Sequence, residues 1–208
     1  MAVKKSKKAV QKNQQTEKMV LISDLNIKYM DITLESDSSL ICHRWSDKAK
    51  KEIRDKQMKR APKAKEAKDP EKDFLASLYK HPDGGYGFPA VAFKSAAVDA
   101  CSQISGLTKV QIRGVFHIDG ELVKISGKPT MREDMVRIGM GTADIRHRGE
   151  FKKWSATFTL RYNASVVSPE QLVALFQYAG FAVGVGEWRP QKDGIYGMFH
   201  VKGRKAKK

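Results

Sequence analysis

The sequence is poor in cysteine. Its two thiols, Cys42 and Cys101, stand apart among 208 residues, and without a CxxC spacing they indicate neither a disulfide framework nor a zinc ribbon. Both are expected to be buried thiols in a reducing compartment. No apolar run approaches the roughly 20 residues of a membrane span. The basic N-terminus lacks the apolar segment of a signal peptide, so the chain reads as cytoplasmic, with no membrane contact. The five histidines, His43, His81, His117, His147 and His200, have no metal-binding spacing, the acids form no paired constellation for two-metal chemistry, and no Ser, Cys or Thr nucleophile motif occurs. No cofactor, no metal and no enzymatic activity are therefore expected.

Positive charge is abundant. The formal net charge is +16, and its distribution matters more than its sum. Residues 1 to 18 hold six Lys and one Glu, residues 202 to 208 add five cations, and the run 48 to 73 has eleven Lys or Arg against six acids. Each segment carries +5, which leaves the remainder of the chain near neutrality. Basic arms on a neutral body suit a polyanion, because each neutralised phosphate releases condensed counterions. Solubility alone, or contact with an acidic protein or membrane surface, are the other readings of such runs. A membrane helix would need an apolar face, and the first 18 residues offer only Val3 and Val10 as large apolar side chains.

The pattern along the chain divides it into a disordered basic tail (1–18), one domain (19–201) with a charged insertion near 48–80, and a second basic tail (202–208). Strands are expected over Met19 to Asn26 and Lys28 to Leu34, followed by Leu40 to Trp45 in a hairpin. Pro62 and Pro70 break the charged run. The segment from Pro89 to Ile104, with Val91, Val98 and Ile104 interspersed with Ala, predicts a buried helix ended by Gly106. Val110 to Ile118 alternates as a strand, and Asp119-Gly120 would turn it into Leu122 to Ile125 as a hairpin. Residues 131 to 151 have weak periodicity and suggest a long loop or short irregular elements. WSATFTLRYN (154–163) alternates as a strand. Ser168, Pro169 and Gln171 open a helix with Leu172, Leu175 and Phe176 at helical spacing. A strand over Phe181 to Trp188 and a short one over Gly197 to Val201 complete a βαβ unit. Two βα(β) halves around one sheet make an α+β, ferredoxin-like (RRM-like) antiparallel sheet with two main helices.

The segment 182 to 199 places Gly184, Gly186, Gly194 and Gly197 around Arg189 and Lys192. Following a helix rather than opening one, it is neither a dinucleotide fingerprint nor a P-loop; a glycine-bearing hairpin is the plain alternative. This segment resembles the C-terminal glycine-rich loop of the RAMP superfamily, RRM-like proteins that include the backbone subunits of CRISPR effector complexes. A second stretch, Tyr86-Gly87-Phe88-Pro89-Ala90-Val91-Ala92-Phe93-Lys94-Ser95-Ala96, is similar to that family's I-P-G-S-S-L-K-G-A-L-R element. It has Ala90 where the family has Gly, Ser95 where Gly is frequent, and Asp99 near a usually basic position. The whole also resembles phage-borne proteins. The resemblance implies single-stranded nucleic acid gripped along its backbone, with Lys94, Trp188, Arg189 and Lys192 as contacts.

Independently of any family, Arg132, Arg137, Arg146, Arg148, Lys152 and Lys153 cluster in sequence beside Trp154, a mixture of phosphate-pairing cations and a stacking surface. Arg113 joins them from the strand expected at 110 to 118. Trp154, preceding an alternating strand, is better suited to the core, and Glu133, Asp134, Asp144 and Glu150 are close enough in sequence to pair the arginines instead. Some RAMP relatives cut RNA with a His base, for which His147 between two arginines is the candidate here. The expected function is coating or annealing of single-stranded DNA or RNA, with copies of the chain repeated along the strand. An endoribonuclease and a viral structural protein touching packaged genome are the alternatives.

Overall fold

The computed structural model describes residues 24–61, 67–103, 106, 108–139 and 141–203. Both basic tails lie outside these residues, apart from Lys202 and Gly203. Strand β1 (Ile27–Ser36) is followed by β2 (Leu40–Cys42), then by helices α1 (Asp47–Gln57) and α2 (Pro70–Ser77). Next come β3 (Tyr79–Lys80), β4 (Tyr86–Pro89), α3 (Ala90–Ala100), α4 (Lys109–Val115), β5 (Phe116–Ile118) and β6 (Leu122–Ser126). The chain continues through β7 (Pro129–Ile138), β8 (Thr142–Phe151), β9 (Ser155–Asn163), α5 (Pro169–Tyr178) and β10 (Phe199–Val201).

The main sheet runs β10-β1-β9-β6-β4-β3, with β5 also on β9, and its pairs are antiparallel. Because β5 and β6 bond successively along β9, they act as one strand interrupted at Asp119–Glu121. The core order is then fourth, first, third, second of a β-α-β-β-α-β chain whose helices are α3 and α5. This is the ferredoxin-like arrangement expected from the sequence. A second sheet, β2-β8-β7, carries the segment inserted between β6 and β9.

The two halves of each central strand explain the layering. Ile32 and Leu34 of β1, and Ala156, Phe158, Leu160 and Tyr162 of β9, are buried, as period two requires of a sheet covered on one side. They meet Phe93 of α3 and Phe176 of α5: the Phe158 ring lies 5.4 Å from Phe93 and 5.7 Å from Phe176. Helix α5 begins as expected, with the Ser168–Gln171 capping box and Pro169 in its first turn. Cys42 and Cys101 are both buried, and burial pushes the Cys42 thiol up to about 12, making it an unreactive packing group.

Several expectations are corrected. Residues 109 to 115 are helical, not extended: a Thr108–Gln111 capping box opens α4, and Ile112 and Val115, three apart, face the core while Val110 is exposed. Gly120 does take a positive φ of 84°, but the strands it separates both bond to β9 rather than to each other. β1 and β2 form no hairpin, since β2 pairs with β8. Residues 129 to 151 are a regular hairpin of two ten-residue strands, not a loop. Residues 181 to 188 form no strand: a π-helical turn, Ala179–Val183, extends α5, and an irregular loop follows. The helix expected from Pro89 to Ile104 is α3, ending at Ala100 with a 3₁₀ turn over Cys101–Gln103; Ile104 lies outside the described residues, and Val91 is exposed. The charged insertion supplies α1, in which no residue is buried, and α2, which packs on β8.

Candidate nucleic-acid interface

With α3 and α5 on one face, the alternate residues of the central strands point to the other. There the register places Tyr29 of β1 opposite Arg161 of β9, and Arg161 opposite His117 of β5. All three are exposed, and Tyr29 has 61% of its surface free. Hydroxyl groups fill the neighbouring rows: Thr33 and Thr157 share a 2.9 Å hydrogen bond, and Thr159 donates to Asp31 at 2.6 Å. The row continues round the sheet edge to α3, where Lys94 Nζ lies 3.2 Å from His117 Nδ1 and 5.8 Å from the centre of the Phe116 ring. Burial lowers the affinity of the Lys94 amine for its proton. His117 is shifted down by burial first, then by the positive fields of Lys94 and Arg161, against the opposing effect of Asp119.

The root of the hairpin is basic. A Cβ on Gly127 would come within 2.5 Å of the Lys153 carbonyl oxygen, so the turns at 126–128 and 152–154 lie against one another. Lys124, Lys128, Lys152 and Lys153 are all exposed there. At the β10 edge the charges are balanced instead: His200 bonds Asp37 at 2.7 Å and stands 3.6 Å from Glu35, which also meets Lys202.

The arginines of the hairpin are placed differently from the expectation of open phosphate contacts. Opposite residues share a face, which puts Arg132, Asp134, Arg146 and Arg148 together. Arg132 bonds Asp134 at 2.8 Å and reaches Glu150 at 3.5 Å, the buried Arg148 reaches Asp134 at 3.4 Å, and Arg146 pairs with Asp144 at 3.6 Å. Lys68, preceding α2, also bonds Asp144. On the other face His147 bonds Glu133 at 3.1 Å, and its Nδ1 is buried without a partner. Acids on neighbouring positions thus neutralise this group, and only Arg137, near the hairpin tip, is exposed among its arginines. Trp154 is a core residue whose indole donates to the Ser38 carbonyl at 3.0 Å.

The glycine-rich loop is shaped by its own packing. Gly184, Gly186 and Gly197 have φ of 68°, 81° and 69°, which only glycine adopts without strain. A Cβ on Gly186 would stand 2.6 Å from the Ile41 carbonyl oxygen, and one on Gly194 or Gly197 would overlap the carbonyls of Trp188 or Val185. The close approach is therefore of backbone to backbone. Arg189 donates to Gln191 and to the Gly186 carbonyl, and Gln191 donates to Asp99 at 2.8 Å. Trp188 and Lys192 are exposed on this loop, and Arg113 is exposed on α4.

The structure thus gathers Lys94 with His117 and Arg161, and Lys152 with Lys153. Sequence reading passed over Tyr29 and Arg161 and weighed His117 only as a metal ligand. Their trace was present: both Tyr29 and Arg161 are out of phase with the buried alternation of their strands. Among the described residues, no group of His, Cys, Asp or Glu could hold a metal ion, and no helix is long and apolar enough to cross a membrane.

No family model matches the chain, and no curated protein matches it. Among solved structures it is similar to the crystal structure of Cmr6 from Pyrococcus furiosus, with a TM-score of 0.44 and 11% identity over 85% of this chain and 99% of that one.

Proposed function

We propose that this protein binds single-stranded DNA or RNA across the open face of its main sheet, holding the strand without cleaving it. The row Lys94, His117, Arg161, Tyr29 carries this reading: two cations and an imidazole line up beside an exposed ring, with the hydroxyl groups of Thr33, Thr157 and Thr159 on neighbouring positions. Single strands offer what such a row takes, because unpaired bases stack on aromatic rings while their phosphates meet Lys and Arg. The lysines at the hairpin root extend the basic track, and the tails, each +5 in the sequence, add affinity without sequence preference. An extended surface of this kind suits copies repeated along one strand. His147, with Nε2 on Glu133 and Nδ1 buried, is not presented as a general base, which favours binding over cleavage.

The test is a titration of the full chain with single- and double-stranded DNA and RNA at several salt concentrations, repeated for a chain lacking residues 1–18 and 202–208. Retained single-strand binding with a shallower salt dependence supports the sheet as the site. Failure of the full chain to bind any oligonucleotide would overturn it and favour a structural role.

A further inference from the structure

An open, shallow depression of about 310 Å³ lies where the Lys94 row meets the end of β5, lined by Ala90, Val91, Lys94, His117, Ile118, Gly120 and Glu121. Its polar content is unusual. Two basic nitrogens, Lys94 Nζ and His117 Nδ1, stand 3.2 Å apart, and the charges of Lys94 and Arg161 both disfavour protonation of His117. A protonated Lys94 donating to Nδ1 leaves the imidazole N–H on Nε2 and two ammonium hydrogens free to donate.

We infer that this depression binds a phosphate monoester, either the terminal phosphate of a strand lying on the sheet or that of a free mononucleotide, through Lys94 and His117 with the sugar or base against Val91 and Ile118. A monoester suits the site better than an internal phosphodiester. The diester supplies one negative charge, whereas the monoester carries close to two near neutrality and offers three strong acceptor oxygens, which matches the Lys94 ammonium and the His117 N–H crowded together beside Arg161. The monoester's negative charge would offset the positive fields of Lys94 and Arg161 at His117, in the sense in which Asp119 already acts. Glu121, exposed in the lining, opposes an anion and sets an upper limit on affinity. The inference rests on the proposed single-strand site only for its strand-terminal form.

The experiment is calorimetric titration of the full chain with a twelve-nucleotide single strand bearing a 5′-phosphate, a 3′-phosphate or neither, and with adenosine 5′-monophosphate alone. One end-phosphorylated strand should bind about tenfold more tightly than the unphosphorylated one, as one or two charge-assisted hydrogen bonds allow. Lys94→Gln should bring the ratio of affinities for phosphorylated and unphosphorylated strand to about one, while also weakening binding of the unphosphorylated strand because Lys94 belongs to the proposed strand-binding row. An unchanged melting temperature certifies that the variant is folded. Glu121→Gln should strengthen the preference. Equal affinity for all three strands, with no mononucleotide binding, would overturn the inference and leave the sheet site standing. Mononucleotide binding that depends on Lys94, in a protein that binds no oligonucleotide, would support the depression and overturn the sheet site. A preference unchanged in Lys94→Gln would place the phosphate elsewhere and sink the inference.

Discussion

The guanidinium of Arg132 lies 4.7 Å from the centre of the Tyr196 ring, and this contact joins the hairpin to the glycine-rich loop. Two segments that invite a common role as ligand contacts are therefore partners of each other. A double-mutant cycle on Arg132→Ala and Tyr196→Ala, followed by urea denaturation, should return a coupling of about 0.5–1 kcal/mol, the range of a cation over an aromatic face. Arg132→Ala alone should cost more, about 1–3 kcal/mol, because Asp134 and Glu150 lose a donor. Additive effects of the two substitutions would show that hairpin and loop are energetically independent.

The glycine-rich loop should respond to substitution as a packing element. Gly197→Ala meets both a φ of 69° and an overlap with the Val185 carbonyl, so it should lower stability by about 2–4 kcal/mol. Affinity for oligonucleotide, measured per folded molecule, should stay within about twofold. A variant of unchanged stability that loses binding would instead put a ligand against this backbone.

How far the sequence can be read depends on whether the informative contact is local. Helix α5 is legible residue by residue, because Ser168, Pro169 and Gln171 act on their own backbone. Strand β9 is legible because one face is buried, which imposes alternation. The hairpin β7–β8 escapes the same test: Met131, Met135 and Ile145 are exposed, while Arg148 and Gly149 are buried, so the apolar pattern does not follow the burial. The pairing of acids with arginines is decided by register, Arg132 with Arg148 and Asp134 with Arg146, which no periodicity reveals. Ile112 and Val115 fit a helix turn as well as an imperfect strand, and the capping box at Thr108 decides for the helix. The row of Lys94, His117, Arg161 and Tyr29 joins four separate elements, so knowing it requires the strand order.

Tyr29 and Arg161 should separate in their effects. Tyr29→Ala should weaken single-strand binding about tenfold, within the roughly 1–3 kcal/mol per stacked base, whereas Tyr29→Phe, keeping the ring, should not. Because Tyr29 is largely exposed, neither change should move the melting temperature appreciably. Arg161→Ala should weaken binding evenly across sequences and reduce the slope of log affinity against log salt by about one. Unaltered binding in both alanine variants would remove the sheet face as the site.

Protonation of His117 should pull binding and stability in opposite directions. In the free protein its pKa is displaced below the ordinary 6.5 by burial and by Lys94 and Arg161, with Asp119 in opposition. The unfolded chain therefore takes up this proton first, and the stability His117 contributes, complete above about pH 6.5, is lost as pH falls below it toward the depressed folded value. A bound strand reverses the bias, since its phosphates favour the imidazolium. Affinity for an oligothymidylate, whose bases do not titrate in this range, should accordingly rise as pH falls from about 8 to about 5.5, and a titration series at constant ionic strength measures it. In His117→Gln the part of that rise owed to this residue should vanish while the salt dependence at pH 8 persists, because a neutral side chain at high pH resembles the neutral imidazole. An identical pH profile in the variant would mean that phosphate never comes near His117, and the row would have to end at Arg161.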